Sequence, residues 1–304
     1  MNPVANSYFS GAGLMDCGLQ RGGLRIQQSF EIDPDCCATH RANFKHPVVQ
    51  CDVKLKLVAD EMPCDVMAAT YPCTRYSLIG EIHGVRTGDE LFLHFFRHIA
   101  IRRPECYVVE NVPGMKKFPV VMEAMTKLPD YYVNVFCPVQ SQTWLPQRRD
   151  RLIIIGSRKN FLWREPQCGR RIPLRDIIED DPVVDYPDYI ESRLDGSYRD
   201  RPIISDPHRD DIAPTCVAHY SKDLSTRLVV DRRFPKRFPR GVRPYTVREY
   251  ARLQGVPDEF QFVGSDRAAY KMIGNGVSVP VGEWIGGEIT RYFKNNSVNR
   301  PFAG

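Results

Sequence analysis

The sequence predicts an α/β fold: a mostly parallel sheet wrapped by helices, followed by a smaller unit rich in loops and short strands. Three observations carry that expectation. The first 156 residues alternate short apolar runs with helical periodicity, the pattern of repeated strand–helix–strand units. From Ser157 to about Val242 the periodicity weakens, and Pro, Asp and Arg dominate. Regular patterns then return near the C-terminus. The chain has 304 residues, 42% apolar and 26% charged, enough to bury a large core without disulfide staples.

Strands are expected at Val4–Phe9, Ile26–Glu31, Val48–Cys51, Val66–Thr70, Cys106–Glu110, Tyr132–Cys137 and Arg151–Gly156. Helices fit between them. Pro34–Asn43 has proline at its first turn. Asp89–Arg102 places Leu91, Phe92, Phe95, Phe96 and Ile99 on one apolar face. Further helices are expected at Thr246–Leu253 and Val281–Lys294. No run approaches the roughly 18 apolar residues of a membrane span, and no secretory leader is evident. The ten scattered cysteines then read as reduced thiols of a cytosolic protein, nucleoid-associated if bacterial. They show no zinc-finger spacing, and no metal site is expected.

Net charge is +5, and its distribution is uneven. Twelve acidic residues face four basic ones between Asp176 and Asp211. Between Arg227 and Arg243 seven basic residues stand against Asp231 alone, with Phe234 and Phe238 interleaved among prolines. A basic, aromatic, non-helical segment reads as a surface for a polyanion. The acidic stretch is expected on an outer surface, away from such a ligand.

Several short motifs fall at predicted strand ends. Phe9-Ser10-Gly11-Ala12-Gly13-Leu14 follows the first strand and opens a helix, where glycines permit a tight turn and close backbone approach to a ligand. Glu31 ends the second strand, placed to accept hydrogen bonds from ribose hydroxyls, and Asp52 ends the third. Neither a full G-x-G-x-x-G nor a G-K-[ST] is present, which disfavours NAD and ATP. Tyr71-Pro72-Cys73 follows the fourth strand, where a loop faces the ligand crevice of a parallel sheet. A thiolate there is a nucleophile, and Arg75 supplies a cation to lower its pKa. Glu110-Asn111-Val112 follows the fifth strand and suits acid–base work. Gln147-Arg148-Arg149-Asp150-Arg151 offers planar guanidinium donors.

In this order, the motifs resemble those of the DNA (cytosine-5) methyltransferases over nearly the whole chain. Arg243-Pro244-Tyr245-Thr246-Val247-Arg248-Glu249-Tyr250-Ala251-Arg252-Leu253-Gln254-Gly255-Val256-Pro257 is similar to the family's R-x-x-T-x-R-E-x-A-R-L-Q-G-F-P segment, and Gly274-Asn275-Gly276-Val277 to its closing G-N-x-V. The chain departs from the pattern at Thr74, where the family has glutamine, and at Thr70, Leu14 and Ile32.

The resemblance implies a Rossmann-like catalytic domain over 1–156 and 262–304, binding S-adenosyl-L-methionine (AdoMet), and a target-recognition domain over 157–261. It assigns Phe9, Gly11, Ala12, Gly13, Leu14, Glu31, Ile32, Asp52, Pro72, Leu91, Asn275 and Val277 to the cofactor, which leaves as S-adenosyl-L-homocysteine. It assigns catalysis to Cys73, Glu110, Asn111, Arg149 and Arg151. A cytosine flipped from double-stranded DNA is attacked at C6 by Cys73 and methylated at C5. Glu110 contacts N3 and the amino group, Arg151 the O2 carbonyl, and Arg149 braces the site or a phosphate. Ser77, Arg75, Arg227, Arg232, Arg233, Lys236, Arg237 and Arg240 are the expected DNA contacts. The expected protein is a monomer of restriction–modification type, possibly serving a cognate endonuclease. A tRNA cytosine-5 methyltransferase and a catalytically dead DNA-binding homologue are the rival readings.

Overall fold

The computed structural model describes residues 2–72, 91–167, 169–197 and 199–297. Cys73, Thr74, Arg75 and Ser77 lie outside the described residues. Two compact units emerge. One comprises residues 1–139, 150–166 and 279–304, and the other 140–149 and 167–278.

The first unit is built on β1 (Val4–Tyr8), β2 (Arg25–Glu31), β3 (Val48–Gln50), β4 (Val66–Ala69), β5 (Cys106–Asn111), β6 (Tyr132–Gln140) and β7 (Asp150–Ser157). They form one sheet in the order β3-β2-β1-β4-β5-β7-β6. The pairings from β3 through β5 are parallel, and β7 runs antiparallel to β5. Every residue of β4 and β5 is buried, the signature of strands covered on both faces.

Helices α1 (Leu14–Arg21), α2 (Pro34–Asn43), α3 (Leu91–Arg102), α4 (Pro119–Thr126) and α8 (Val279–Ser297) belong to this unit. Asp33 caps α2 by accepting from the amides of Asp35 and Cys36, and Pro34 starts it without an orphan N–H. α1 lies backbone-to-backbone on α8, so a Cβ at Gly18 would stand 2.4 Å from the Val279 carbonyl oxygen. α3 presents Phe92, Phe95 and Ile99 to the sheet, in one core with Tyr8, Met67, Val109 and Ile154.

The second unit holds a three-stranded sheet, β8 (Ile203–Ser205), β9 (Arg227–Val230) and β10 (Val242–Pro244), with β9 central. Its helices are α5 (Tyr189–Asp195), α6 (Val247–Arg252) and α7 (Asp266–Asn275). A capping box starts α6: Thr246 accepts from the Glu249 amide, and Glu249 accepts from the Thr246 amide. Tyr220, Tyr250 and Tyr270 pack as a buried aromatic trio.

The units divide at points other than the boundaries expected from the sequence. Residues 140–149 fall in the second unit because Ala213 pairs with them, donating to the Pro146 carbonyl and accepting from the Arg148 amide. Residues 262–278 join it through α7, where Tyr270 donates to the Tyr245 carbonyl. Among the described residues no helix is long and apolar enough to cross a membrane.

Candidate active site

The loop between β1 and α1 needs unusual backbone. Phe9, Gly11 and Gly13 all have positive φ, of 56°, 55° and 88°. A Cβ added at Gly11 would meet nothing within 4 Å, so the loop lines open space there. The Gly11 amide donates to Glu31 Oε2 at 2.7 Å, and the Ile32 and Asp33 amides donate to Oε1 at 2.8 Å. Three backbone donors thus fix the Glu31 carboxylate and leave acceptor sites over for hydroxyl donors. Beside it, Ile32 is 59% exposed, an apolar surface at the end of β2. The donor set and the open cradle fit a nucleoside with a ribose diol. Asp52 starts a turn after β3, accepting from the Lys54 amide with its side chain.

The ends of β4 and β5 are tied together. The Asn111 amide donates to the Tyr71 carbonyl at 3.1 Å, and its side-chain oxygen accepts from the Val112 amide. Thr70 donates to the Phe9 carbonyl at 2.8 Å, joining this edge to the glycine loop. Tyr71 is buried and Pro72 exposed, so the chain emerges at the surface immediately before Cys73. Glu110 and Arg151, on neighbouring antiparallel strands, form an ion pair at 2.8 Å with about a tenth of each side chain exposed. The pair keeps a carboxylate and a guanidinium together in a nearly dry site, where charge interactions are strong.

Arg149 has another fate. Its guanidinium is buried in the second unit, donating to the carbonyls of Cys216, Gly274 and Gly276. Of the two expected roles, brace or phosphate contact, this geometry is that of a brace. Gln147 is equally buried, bonding to Leu253 and Cys216. Asn275, at the end of α7, is exposed, and Val277 is buried.

The basic segment is internally paired. Arg233 binds Asp231, Arg237 binds Asp181, and Arg240 binds Asp195. Arg227 donates to the Thr215 carbonyl. Arg243 is fully buried between Asp231 and Glu249. Burial works against ionisation of Asp231, but hydrogen bonds from Arg233 and Arg243 outweigh it and hold the pKa at about 2. Of the expected DNA contacts in this segment, Arg227, Arg232 and Lys236 show no carboxylate partner among the described residues, and Arg227 is held by the Thr215 carbonyl instead. The acidic stretch therefore neutralises part of the basic one, a pairing that opposite charge runs in the sequence suggest but do not specify. A cavity of about 410 Å³ in the second unit is lined by Glu179, Asp181, Asp185 and Asp266 among others, with Thr246, Val247 and Arg248 of the Arg243–Pro257 motif.

Of the described cysteines, Cys36, Cys37, Cys106 and Cys216 are buried, and Cys17, Cys51, Cys64 and Cys137 partly so. Burial pushes the thiols of Cys37, Cys64 and Cys216 up to about 11, 12 and 12, so none is a thiolate at neutral pH. Asp16, His40 and His46 bring metal-type ligand atoms within 4.8 Å of one another. Asp16 is there a hydrogen-bond acceptor from Ser29 at 2.6 Å, with His40 Nε2 at 3.0 Å, and the cluster pins α1 to α2. Residues that sequence reasoning missed are Arg97 and Arg102 of α3, which donate to loop carbonyls between Val53 and Glu61. Their only sequence signal was two arginines five residues apart on a helix whose other polar side chains are His94 and His98.

A parallel sheet whose strand ends gather a glycine loop, a ribose acceptor and a carboxylate–guanidinium pair defines a Rossmann-like methyltransferase. Comparison with known proteins narrows the class. The pattern of the C-5 cytosine-specific DNA methylases matches residues 5–189 and 202–291, and the chain belongs to that family. It is a DNA (cytosine-5) methyltransferase, and the family implies use of AdoMet. The chain is similar to type II methyltransferase M.NlaX of Neisseria lactamica, 29% identical over 90% of this chain and 91% of that protein. It is also similar to M.HpaII of Haemophilus parainfluenzae, 28% identical over 94% and 89%. Among solved structures, the Entamoeba histolytica methyltransferase EhMeth has a TM-score of 0.78 at 16% identity, covering 98% of this chain and 99% of that one. A putative DNA modification methyltransferase from an Escherichia coli prophage has a TM-score of 0.70 at 21% identity, covering 96% and 99%. At these identities the structural likeness speaks for the fold alone.

Proposed function

We propose that this enzyme is a sequence-specific modification methyltransferase that flips one cytosine out of double-stranded DNA and methylates its C5. Relatives named as type II methyltransferases support the restriction–modification setting; a cognate endonuclease as partner and a monomeric, cytoplasmic, nucleoid-associated enzyme belong to this reading as its further expectations. AdoMet supplies an electrophilic methyl group and departs as S-adenosyl-L-homocysteine.

The residues of the chain do the rest. Phe9, Gly11, Ala12, Gly13 and Leu14 form the cradle, Glu31 takes the ribose hydroxyls, and Ile32 packs on the adenine, with Asp52 on its amino group. Pro72, Leu91, Asn275 and Val277 complete the cofactor set. The Cys73 thiolate adds to cytosine C6, which raises electron density at C5. Glu110 holds N3 and the exocyclic amino group as charge develops on the ring. Arg151 keeps Glu110 oriented and donates to the O2 carbonyl. Asn111 fixes the backbone one residue before Pro72, and Arg149 braces the Gly274–Gly276 turn. After transfer a base removes the C5 proton, and the thiolate leaves. Arg75 and Ser77 serve the flanking DNA backbone.

The observation that carries this reading is the 2.8 Å Glu110–Arg151 pair beside the strand end that leads into Pro72 and Cys73. Bisulfite sequencing of DNA from cells expressing the protein tests it. One recurrent methylated motif, lost with Cys73→Ser, is the expected result. Unmethylated DNA together with C5-methylated tRNA would overturn it in favour of an RNA substrate.

A further inference from the structure

A cluster of polar side chains lies outside the motifs on α3, with His98 buried and Arg97 and Arg102 half-buried. Arg97 donates to the carbonyls of Val53 at 3.2 Å, Lys56 at 2.9 Å and Lys54 at 3.4 Å. Arg102 donates to the carbonyls of Val58, at 2.7 Å, and Glu61. Between them His98, fully buried, lies 2.5 Å from Glu61, whose other oxygen accepts from Tyr8 of β1 at 2.7 Å. Arg97 also meets His98 Nε2 at 3.1 Å, which leaves Nδ1 to carry the proton toward Glu61.

These bonds converge on one loop, residues 52–61, and the loop begins at Asp52. The Asp52 carboxylate is oriented by the Lys54 amide at 2.9 Å, and its carbonyl accepts from the amides of Leu55 and Lys56. Arg97 grips the outward-facing carbonyls of that same turn. Lys56 in turn sits 4.7 Å over the Phe30 ring, one residue before Glu31. A planar guanidinium suits this task, because its rigid fork spans several carbonyls at once, which an ammonium does not.

We propose that Arg97 is a positioning residue for AdoMet: it acts through the 52–56 turn to hold the Asp52 carboxylate against the adenine, an inference that rests on the assignment of Asp52 above. His98, Glu61 and Arg102 hold the far end of the loop, so α3 acts as its splint. Nothing in the motif pattern assigns this helix such a role.

The test is calorimetric titration of the full-length protein with AdoMet in the absence of DNA, alongside melting of the unliganded protein. Losing charge-assisted bonds to three carbonyls, Arg97→Gln is expected to raise the AdoMet Kd about tenfold. Arg97→Lys, which reaches one carbonyl, is expected to raise it about threefold. Initial rates at saturating AdoMet should leave kcat within about twofold of wild type, a KM effect without a kcat effect. Combined with Asp52→Ala, Arg97→Gln should add little further loss, because both act through one carboxylate. A lowered melting temperature with unchanged Kd for both Arg97 variants, while Asp52→Ala weakens binding, would overturn the positioning role. Fully additive losses would overturn it too. Asp52→Ala binding AdoMet as wild type does would instead sink the Asp52 assignment, whatever Arg97→Gln does.

Discussion

The two units lean on arginine differently, although each also does what the other does: Arg149 of the second unit bonds to three carbonyls, and Arg103 and Arg291 of the first pair with Asp130 and Glu288. In the first, Arg97 and Arg102 bond mainly to backbone carbonyls and shape a loop, while Arg151 meets one carboxylate at the catalytic edge. In the second, Arg233, Arg237, Arg240, Arg243 and Arg252 each meet an acidic side chain. The guanidinium of the first unit sets geometry for chemistry. Those of the second balance charge beside an apolar core that includes Leu174, Tyr220, Leu228, Tyr250, Leu253 and Ile273. A run of arginines is therefore not a measure of the charge a protein offers to DNA. What counts is the charge left after internal pairing.

The largest effect expected from breaking this contrast lies at the catalytic pair. Glu110→Gln keeps the shape of the side chain but removes the charge that orients Arg151 and that, in the proposed mechanism, holds N3 and the amino group of the cytosine. Single-turnover methyl transfer should slow by about 10²–10³-fold, the range for losing a positioned acid–base group. A slowing of less than tenfold would remove Glu110 from the chemistry.

The same contrast explains what was legible beforehand. α2 was readable to the residue, because Asp33-Pro34 caps it and His40-Arg41 stands in its last turn. Thr246 and Glu249 announced the start of α6 through their i, i+3 spacing. Strands β4 and β5 were readable from their unbroken apolar runs. The placement of Gly11, Glu31, Glu110 and Asn111 at strand ends was legible, because each ends or follows a strand readable from its apolar run. The ion pairs were not legible. Arg237 and Asp181 lie 56 residues apart, and Arg240 and Asp195 lie 45 apart, so nothing local selects the partner. The unit boundary was missed for a similar reason, since Ala213 pairs with Pro146 and Arg148 across more than sixty residues. Arg97 was hidden because its acceptors are backbone carbonyls, which every sequence contains.

A smaller effect is expected in the buried part of the second unit's network. Asp231→Ala leaves the guanidinium of Arg243 in the interior with Glu249 alone, and should cost about 3 kcal/mol in urea unfolding. The pH dependence has a definite sign. A carboxylate with a depressed folded-state pKa stabilises the fold above its unfolded pKa and loses that effect as pH falls through the folded value. For Asp231 the window runs from the unfolded value of about 4 down to about 2. The wild-type urea midpoint should fall more steeply across that window than the midpoint of Asp231→Ala. Parallel profiles would mean that Asp231 does not carry the acid sensitivity of this unit.

The smallest effect is expected at the exposed pairs, where solvent screens the interaction. The Asp181 and Asp195 side chains are well exposed, as are those of Arg237 and Arg240, so these pairs add little to folding. They still compete with phosphate for the same two guanidinium groups. Asp181→Asn together with Asp195→Asn should leave melting unchanged and steepen the salt dependence of DNA binding. Each guanidinium released to a phosphate adds about 0.9 to the slope of log K against log salt, so a change of up to about 1.8 is expected if both engage the duplex. Arg232→Ala and Lys236→Ala should act in the reverse direction, each lowering the slope by about 0.9 in an otherwise wild-type protein. If the double asparagine variant keeps the wild-type slope while the alanine variants lower it, phosphate contact in this segment is confined to the unpaired cations. If neither set moves the slope, the segment does not face DNA, and its charge serves only the pairing within the second unit.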